Sequence, residues 1–250
     1  RIPSRSYIIF SKLKNTNNNF RIIIAKKNRV GAQSKQNAPI KTWFHRKKNV
    51  HKWAYVVRDE YAIKAQKAGF RARSVYKLFE IQERFELIKP EYSVMDIGCA
   101  PGSFLQAIRN IVREKTIIWV DLKEVKPFSY PNVKTLVCSI FDYELLSEKV
   151  INIVWEDQFD LITSDIAPNT TWVFDVDQYS SVELNIAICQ FSDRFLKKGW
   201  NMLLKVFKWE DFNDLAMQVR SRFEKFVTYK PMACRDSSHE EYIICFNKKK

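Results

Sequence analysis

The run Asp96-Ile97-Gly98-Cys99-Ala100-Pro101-Gly102-Ser103-Phe104 holds the densest chemical signal in the chain. Two of only five glycines fall in it, between an apolar strand and a helix, where a tight turn lets backbone approach a ligand. In a doubly wound sheet, ligands bind outside the carboxyl ends of the strands near the topological switch point. The turn is not Gly-x-Gly-x-x-Gly and no Walker lysine follows it, so nucleotide phosphates are disfavoured. An adenosyl group with a methionine tail fits better, because its ammonium and sulfonium favour carboxylate and carbonyl oxygen, and Asp96 supplies a carboxylate. Asp121 ends the next apolar run, roughly 20 residues on, where an acid can accept hydrogen bonds from ribose hydroxyls. The competing reading of Asp121 is a helix cap or a turn.

Four further charged residues recur in order along the chain. Lys77 lies in Arg71-Ala72-Arg73-Ser74-Val75-Tyr76-Lys77-Leu78, and Asp165 in Ser164-Asp165-Ile166-Ala167-Pro168-Asn169. Lys205 lies in Leu203-Leu204-Lys205-Val206-Phe207, and Glu240 in Ser237-Ser238-His239-Glu240-Glu241-Tyr242. Asp165 and Lys205 sit at the ends of, or inside, apolar strands, where unpaired charge is expensive. Each alone reads as a surface residue at a strand edge; the ordered set of four does not.

These residues need elements to position them. Apolar runs at 93–97, 116–120, 133–138, 159–164, 201–206, 226–229 and 241–246 predict strands. Helical stretches at 103–112, 142–154, 177–196 and 209–223 fill the gaps, and Ser74 is the expected N-cap of a helix bearing Val75, Leu78 and Phe79. The alternation predicts an α/β fold: a mostly parallel sheet with helices on both faces.

Charge divides the chain in two. Residues 1–69 hold 17 of the 42 Lys and Arg but only Asp59 and Glu60 of the 28 acids, a balance of +15; residues 70–250 carry −1. Such asymmetry points to a polyanion partner, with a solvated or targeting tail as the alternative. Residues 1–40 have no acid and are rich in Asn, Ser, Lys and Arg, a texture like that around an organellar presequence. Residues 41–69 mix Trp43, Phe44, Trp53 and Tyr55 with Arg46, Lys47, Lys48 and Lys52, which suits RNA or an amphipathic helix docked on the main domain. The expected division is therefore a basic extension over 1–69 and a catalytic domain over 70–250. No apolar run approaches a bilayer span. The five cysteines lack any Cys-x-x-Cys pair, which argues against zinc and a disulfide framework and for a reducing, intracellular compartment.

From about Phe70 to Phe246 the chain resembles the FtsJ-like ribosomal RNA large-subunit methyltransferases. The resemblance implies a doubly wound, mostly parallel, seven-stranded Rossmann-like sheet, S-adenosylmethionine as cofactor and no metal. It implies a Lys-Asp-Lys-Glu tetrad at Lys77, Asp165, Lys205 and Glu240, with Tyr242 two residues after the glutamate. The cofactor loop falls on Asp96, Gly98, Ala100, Pro101, Gly102, Ser103 and Phe104, with Asp165 beside it, and the ribose ligand on Asp121. Bacterial members usually have Gly-Gly-Trp where this chain has Gly102-Ser103-Phe104, so Phe104 is expected to keep an aromatic wall. The adenine-reading aspartate aligns with Ser139, with Asp142 or backbone groups as alternatives. Arg71, Arg73 and Tyr242 are the expected substrate contacts.

The implied reaction is methyl transfer to a ribose 2′-hydroxyl of ribosomal RNA, with a uridine of the peptidyl-transferase region as the family's frequent target. A 2′-hydroxyl must lose its proton as it attacks. Lys205 is the implied base, since burial and a second cation, Lys77, favour a neutral amine. Transfer RNA methylation, or a non-catalytic ribosome-assembly factor on the same fold, are the other readings. The large subunit or its precursor is the expected partner, the protein is expected to be monomeric apart from it, and an organelle (the mitochondrion) is the expected location, with cytoplasm or nucleolus as alternatives.

Overall fold

Strands that read as largely apolar runs need cover on both faces, and the centre of the sheet meets that need. A computed structural model describes residues 59–125, 128–154, 158–168, 174–207, 212–235 and 238–249. In chain order the elements are α1 (Glu60–Lys67), α2 (Val75–Phe85), β1 (Val94–Ile97), α3 (Ser103–Ile111), β2 (Ile117–Asp121), β3 (Val133–Val137) and α4 (Tyr143–Ile151). They continue with β4 (Phe159–Ser164), α5 (Phe174–Phe195), β5 (Leu196–Phe207), α6 (Phe212–Arg222), β6 (Phe223–Tyr229) and β7 (Glu240–Lys248).

The seven strands form one sheet in the order β3-β2-β1-β4-β5-β7-β6. The first five pair parallel, whereas β7 runs antiparallel between β5 and β6. The mostly parallel doubly wound sheet expected from the alternating pattern is the one found. β1 and β4 are buried at every residue, whereas edge strand β3 is mostly exposed or half-buried. One face packs Val75, Leu78 and Ile81 of α2 and Leu105 and Ile108 of α3 against Leu203, Tyr242 and Ile244. The other packs Leu146 of α4, Ile188 and Phe191 of α5 and Leu215 of α6 against Met202, Leu204 and Ile243.

Two local readings are corrected. Ser74 does not cap α2: its backbone is already helical, and its Oγ shares a hydrogen bond with Ser103 Oγ at 2.5 Å, tying α2 to the start of α3. β5 begins at Leu196, five residues before the predicted start. Pairing with β4 shifts register between Phe159 and Leu161, and Gly199 adopts φ 82°, so the bulge hides the strand from an apolar count. The buried Asp160 inside β4 is satisfied by Ser93 N and Oγ at 2.8 and 3.0 Å and by Lys197 Nζ at 2.9 Å.

Of the basic segment, only residues 59–69 are described. Asp59 caps α1 by accepting from Ala62 N at 3.0 Å, and α1 leans on α2 through Tyr61 and Tyr76, ring centroids 5.6 Å apart. The expectations placed on residues 1–40 and on Trp43 to Tyr55 lie outside the described residues. No described helix is long and apolar enough to cross a membrane. All five cysteines are buried free thiols.

Candidate active site

The carboxyl ends of β1, β2, β4 and β5 point the same way, so the residues that follow them share one edge of the sheet. β1 delivers Asp96 and then the turn. Gly98 has φ 72°, and a Cβ there would stand 2.4 Å from Ile166 Cβ. Gly102 has φ 103°, and a Cβ there would stand 2.6 Å from the Trp119 ring. Only glycine satisfies both the conformation and the space. Asp121 fastens the turn from the neighbouring strand: its Oδ2 accepts from Ala100 N and its Oδ1 from Lys123 N, each at 2.8 Å.

Asp96 is fully buried. Its Oδ1 accepts from Thr163 Oγ1 at 2.7 Å, but its Oδ2 has no hydrogen-bond partner. Burial, with smaller contributions from the Asp165 and Asp121 charges, outweighs the Thr163 hydrogen bond and raises its pKa to about 8. A buried acceptor without a donor is costly, and its natural complement is a cationic donor in the turn.

The second half of the site comes from side chains distant in sequence. Asp165 follows β4, whose last residue Ser164 is in register with Leu204, so Asp165 arrives beside Lys205. Lys205 Nζ stands 3.1 Å from Asp165 Oδ1 and donates to Asp165 O at 2.5 Å. The antiparallel β7 places Tyr242 opposite Lys205 and Glu240 opposite Phe207. Residues i and i+2 of a strand share a face, so Glu240, Tyr242 and Lys205 all look toward α2. From α2, Lys77 reaches in and forms an ion pair with Glu240 Oε1. Both lysines are buried. All four residues of the tetrad thus converge as two ion pairs.

Other expected contacts are placed differently. Tyr242, expected to touch substrate, is fully buried, and its hydroxyl donates to Asp165 Oδ1 at 2.7 Å. It positions the carboxylate; burial pushes its phenol pKa well above the usual value, with Asp165 and Glu240 adding to the effect. Phe104, expected as an aromatic wall, is 1% exposed and stacks on Tyr242 at 6.3 Å, so it backs the turn from inside the core. Ser103 is buried on Ser74. Ser139 Oγ accepts from Phe141 N at 3.2 Å and closes a local turn, while Asp142 precedes α4 with no side-chain capping bond. Arg71 Nη1 donates to Pro101 O at 3.1 Å, at the rim of the turn. Arg73 braces the scaffold instead, bonded to Asp59 and to Ala233 O.

Sequence reading passed over several supports. Glu80 of α2 accepts from Met232 N and Ala233 N at 2.6 and 2.9 Å, holding the segment that leads to Glu240. Cys234 Sγ donates to Glu240 Oε1 at 3.4 Å. Asn185 Nδ2 donates to Lys205 O and Ser181 O, each at 2.8 Å, and Ser181 Oγ accepts from Phe207 N at 3.4 Å. Those bonds serve β5 where it runs past the end of β4. Ser181, Asn185 and Ser192 interrupting the apolar face of α5 at helical spacing were the available signal. Among the described residues no three His, Cys, Asp or Glu side chains converge as a metal site.

A seven-stranded sheet with β7 inserted antiparallel, a glycine turn after β1 and an acid at the end of β2 defines the Rossmann-like methyltransferase class. The FtsJ-like methyltransferase family is matched over residues 70–248, and the chain belongs to it. Ribosomal RNA large subunit methyltransferase E of Methanococcus maripaludis is 39% identical over 205 residues, 82% of this chain and 75% of that protein. The protein of the same name from Methylobacillus flagellatus is 39% identical over 191 residues, 75% of this chain and 90% of that one. The crystal structure of a ribosomal RNA methyltransferase from Plasmodium falciparum is similar with a TM-score of 0.64 at 27% identity, covering 72% of this chain and 98% of that chain.

Proposed function

We propose that the chain transfers a methyl group from S-adenosylmethionine to a ribose 2′-hydroxyl of large-subunit ribosomal RNA. The observation that carries the reading is the pairing of Lys205 with Asp165. A neutral amine has two N–H groups and one lone pair. Asp165 Oδ1 and Asp165 O take two of the three N–H positions of the Lys205 ammonium, so loss of the third proton would leave a lone pair directed away from Asp165 to receive the 2′-hydroxyl proton. Tyr242 fixes the same carboxylate, and Lys77 with Glu240 sets a second, internally neutralised pair beside it.

The cofactor's chemistry fits the turn. Asp96 Oδ2 is a buried acceptor that a cationic donor would complement, the backbone of Gly98, Ala100, Pro101 and Gly102 would line the approach, and Asp121, at the end of β2, would take the ribose. S-adenosylmethionine would supply an already activated methyl group, so the protein's work is positioning and proton removal. Lys205 takes the 2′-hydroxyl proton at Nζ, and Asp165 then stabilises the resulting ammonium. The names of the relatives support ribosomal RNA as substrate. The acid-free residues 1–40 support an organellar address.

The test is to map 2′-O-methyl marks in ribosomal RNA incubated with the protein and tritiated cofactor. A mark on large-subunit RNA that is absent with Lys205→Ala is the expected result. Marks confined to transfer RNA would move the substrate, and cofactor binding without any mark would make the chain an RNA-binding factor.

A further inference from the structure

The loop leaving β2 carries two rings that the reaction does not use. Phe128 and Tyr130 stack with centroids 6.1 Å apart and planes 19° from parallel. The Arg71 guanidinium lies 3.7 Å over the Phe128 ring, and the Arg109 guanidinium, near the end of α3, lies 4.5 Å over Tyr130. The four side chains form a continuous pile of cation, ring, ring and cation, braced from beneath by Trp119, 5.7 Å from Phe128.

Among the described residues neither arginine of the pile meets a carboxylate. The Arg71 guanidinium donates to Pro101 O, and Arg109 reaches Val112 O at 3.4 Å while its Nε is enclosed without a partner among those residues. Arg73 and Arg222, by contrast, are paired with Asp59 and Asp193. A guanidinium stacked on a ring keeps its in-plane N–H groups available, and that planar fork matches phosphate. Its outer face can stack on an unpaired base. Tyr130 is 43% exposed, so the pile is open along its edge, and the Arg109 guanidinium forms its outer end. The pile starts at the rim of the turn, where Arg71 bonds Pro101, and leads away from the tetrad along α3.

We propose that Arg71, Phe128, Tyr130 and Arg109 form a docking track for the RNA strand flanking the target nucleotide, with phosphates on the two guanidinium groups and a base on the outer end. The track rests on the RNA reading above. It answers a need of that reading: residues 70–250 carry a net charge of −1, so this domain has no general attraction for a polyanion and must grip through local, carboxylate-free cations.

The test uses the full chain and a transcribed large-subunit ribosomal RNA fragment, with binding measured over a salt series. Tyr130→Ala and Arg109→Ala are each expected to weaken binding about tenfold, the scale of a lost base stack. Arg109→Ala is also expected to flatten the slope of log K against log salt by roughly 0.7–0.9, one phosphate contact, and to raise KM for RNA more than it lowers kcat. Arg220→Ala removes the same charge from α6, on the opposite face of the sheet from α3, and is expected to keep the parental affinity and slope. Arg109→Lys, useful should the alanine variant lose its fold, is expected to keep the slope but lose part of the affinity. A parental slope with Arg109→Ala, or equal flattening with Arg220→Ala, overturns the track. A parent that binds but leaves no methyl mark, while the Arg109 and Tyr130 variants still lose affinity, overturns the methylation reading and leaves the track standing.

Discussion

The two halves of the active site are built on opposite electrostatic plans. On the β1–β2 side the recognition surface is mostly backbone, shaped by Gly98 and Gly102 and fastened by Asp121, with one carboxylate oxygen of Asp96 buried and unpartnered. On the β4–β5–β7 side the groups are long side chains, and each charge already has its counter-charge: Lys205 with Asp165, Lys77 with Glu240. A buried pair that loses one member leaves a charge exposed to low dielectric. The first half stores an unmet demand that a cation can satisfy. The second half is satisfied in itself. That contrast suits a site that must bind a cationic cofactor on one side and move a single proton on the other.

Substitutions can separate the halves. The largest effect is expected on the tetrad side: Lys205→Ala should lower methyl transfer by about 10²–10⁴-fold, the usual worth of a general base. Cofactor affinity, measured by calorimetry, should stay within about twofold of the parent on the same reading. Activity within tenfold of the parent would remove Lys205 from the proton's path. Asp121→Ala should act on the other half only, weakening cofactor binding roughly ten- to 150-fold through loss of about 1.5–3 kcal/mol of charge-assisted hydrogen bonding. An unchanged dissociation constant would reduce Asp121 to a fastener of the turn.

Gly98→Ala tests whether the turn is shaped by space. With φ at 72° and a Cβ 2.4 Å from Ile166, the side chain must push the turn or the segment after β4. Overpacking of that kind typically costs about 1–3 kcal/mol, read as a lower midpoint in urea together with weaker cofactor binding. A fully stable variant with parental affinity would show that the turn can give.

The effect expected at Asp96 is a slope against pH and not a single step. Its pKa is raised from the ordinary carboxylate value to about 8 by burial. Below pH ~4 both folded and unfolded chains hold the proton, so the group contributes no slope. Between about 4 and 8 the unfolded chain has ionised while the folded chain retains its proton. Stability should therefore fall as pH rises through that window, by about 1.4 kcal/mol per unit, and level off above it. Asp96→Asn should remove this part of the slope in urea titrations at pH 5, 6, 7 and 8. Parallel pH dependence in parent and variant would show that Asp96 is ionised in the folded protein throughout. Cofactor binding to the parent near pH 7 should also release a proton, seen as a dependence of binding heat on buffer.

Much of the first half was legible from sequence because its parts are contiguous. Gly98, Gly102 and Asp96 lie in nine residues, and a glycine turn after an apolar run and an acid after the next carry their meaning locally. The core strands were nearly as plain, since burial on both faces leaves largely apolar runs in β1, β2 and β4, broken by Asp96, Asp160, Thr163 and Ser164. The tetrad residues were named through family resemblance; the residues alone pointed only to charges placed where charge is expensive. Other parts depend on what lies across from a residue rather than next to it. That Tyr242 serves Asp165, that Phe104 faces the core and that Arg73 braces Asp59 follow from the β5–β7 register and from the seat of α2. Sequence by itself determined which residues could do chemistry, because side-chain type and strand period are local properties. Tertiary structure decided which charge neutralises which, because Lys77 and Glu240 are 163 positions apart and only the reversal of β7 against β5, under α2, brings their ends within reach of one another.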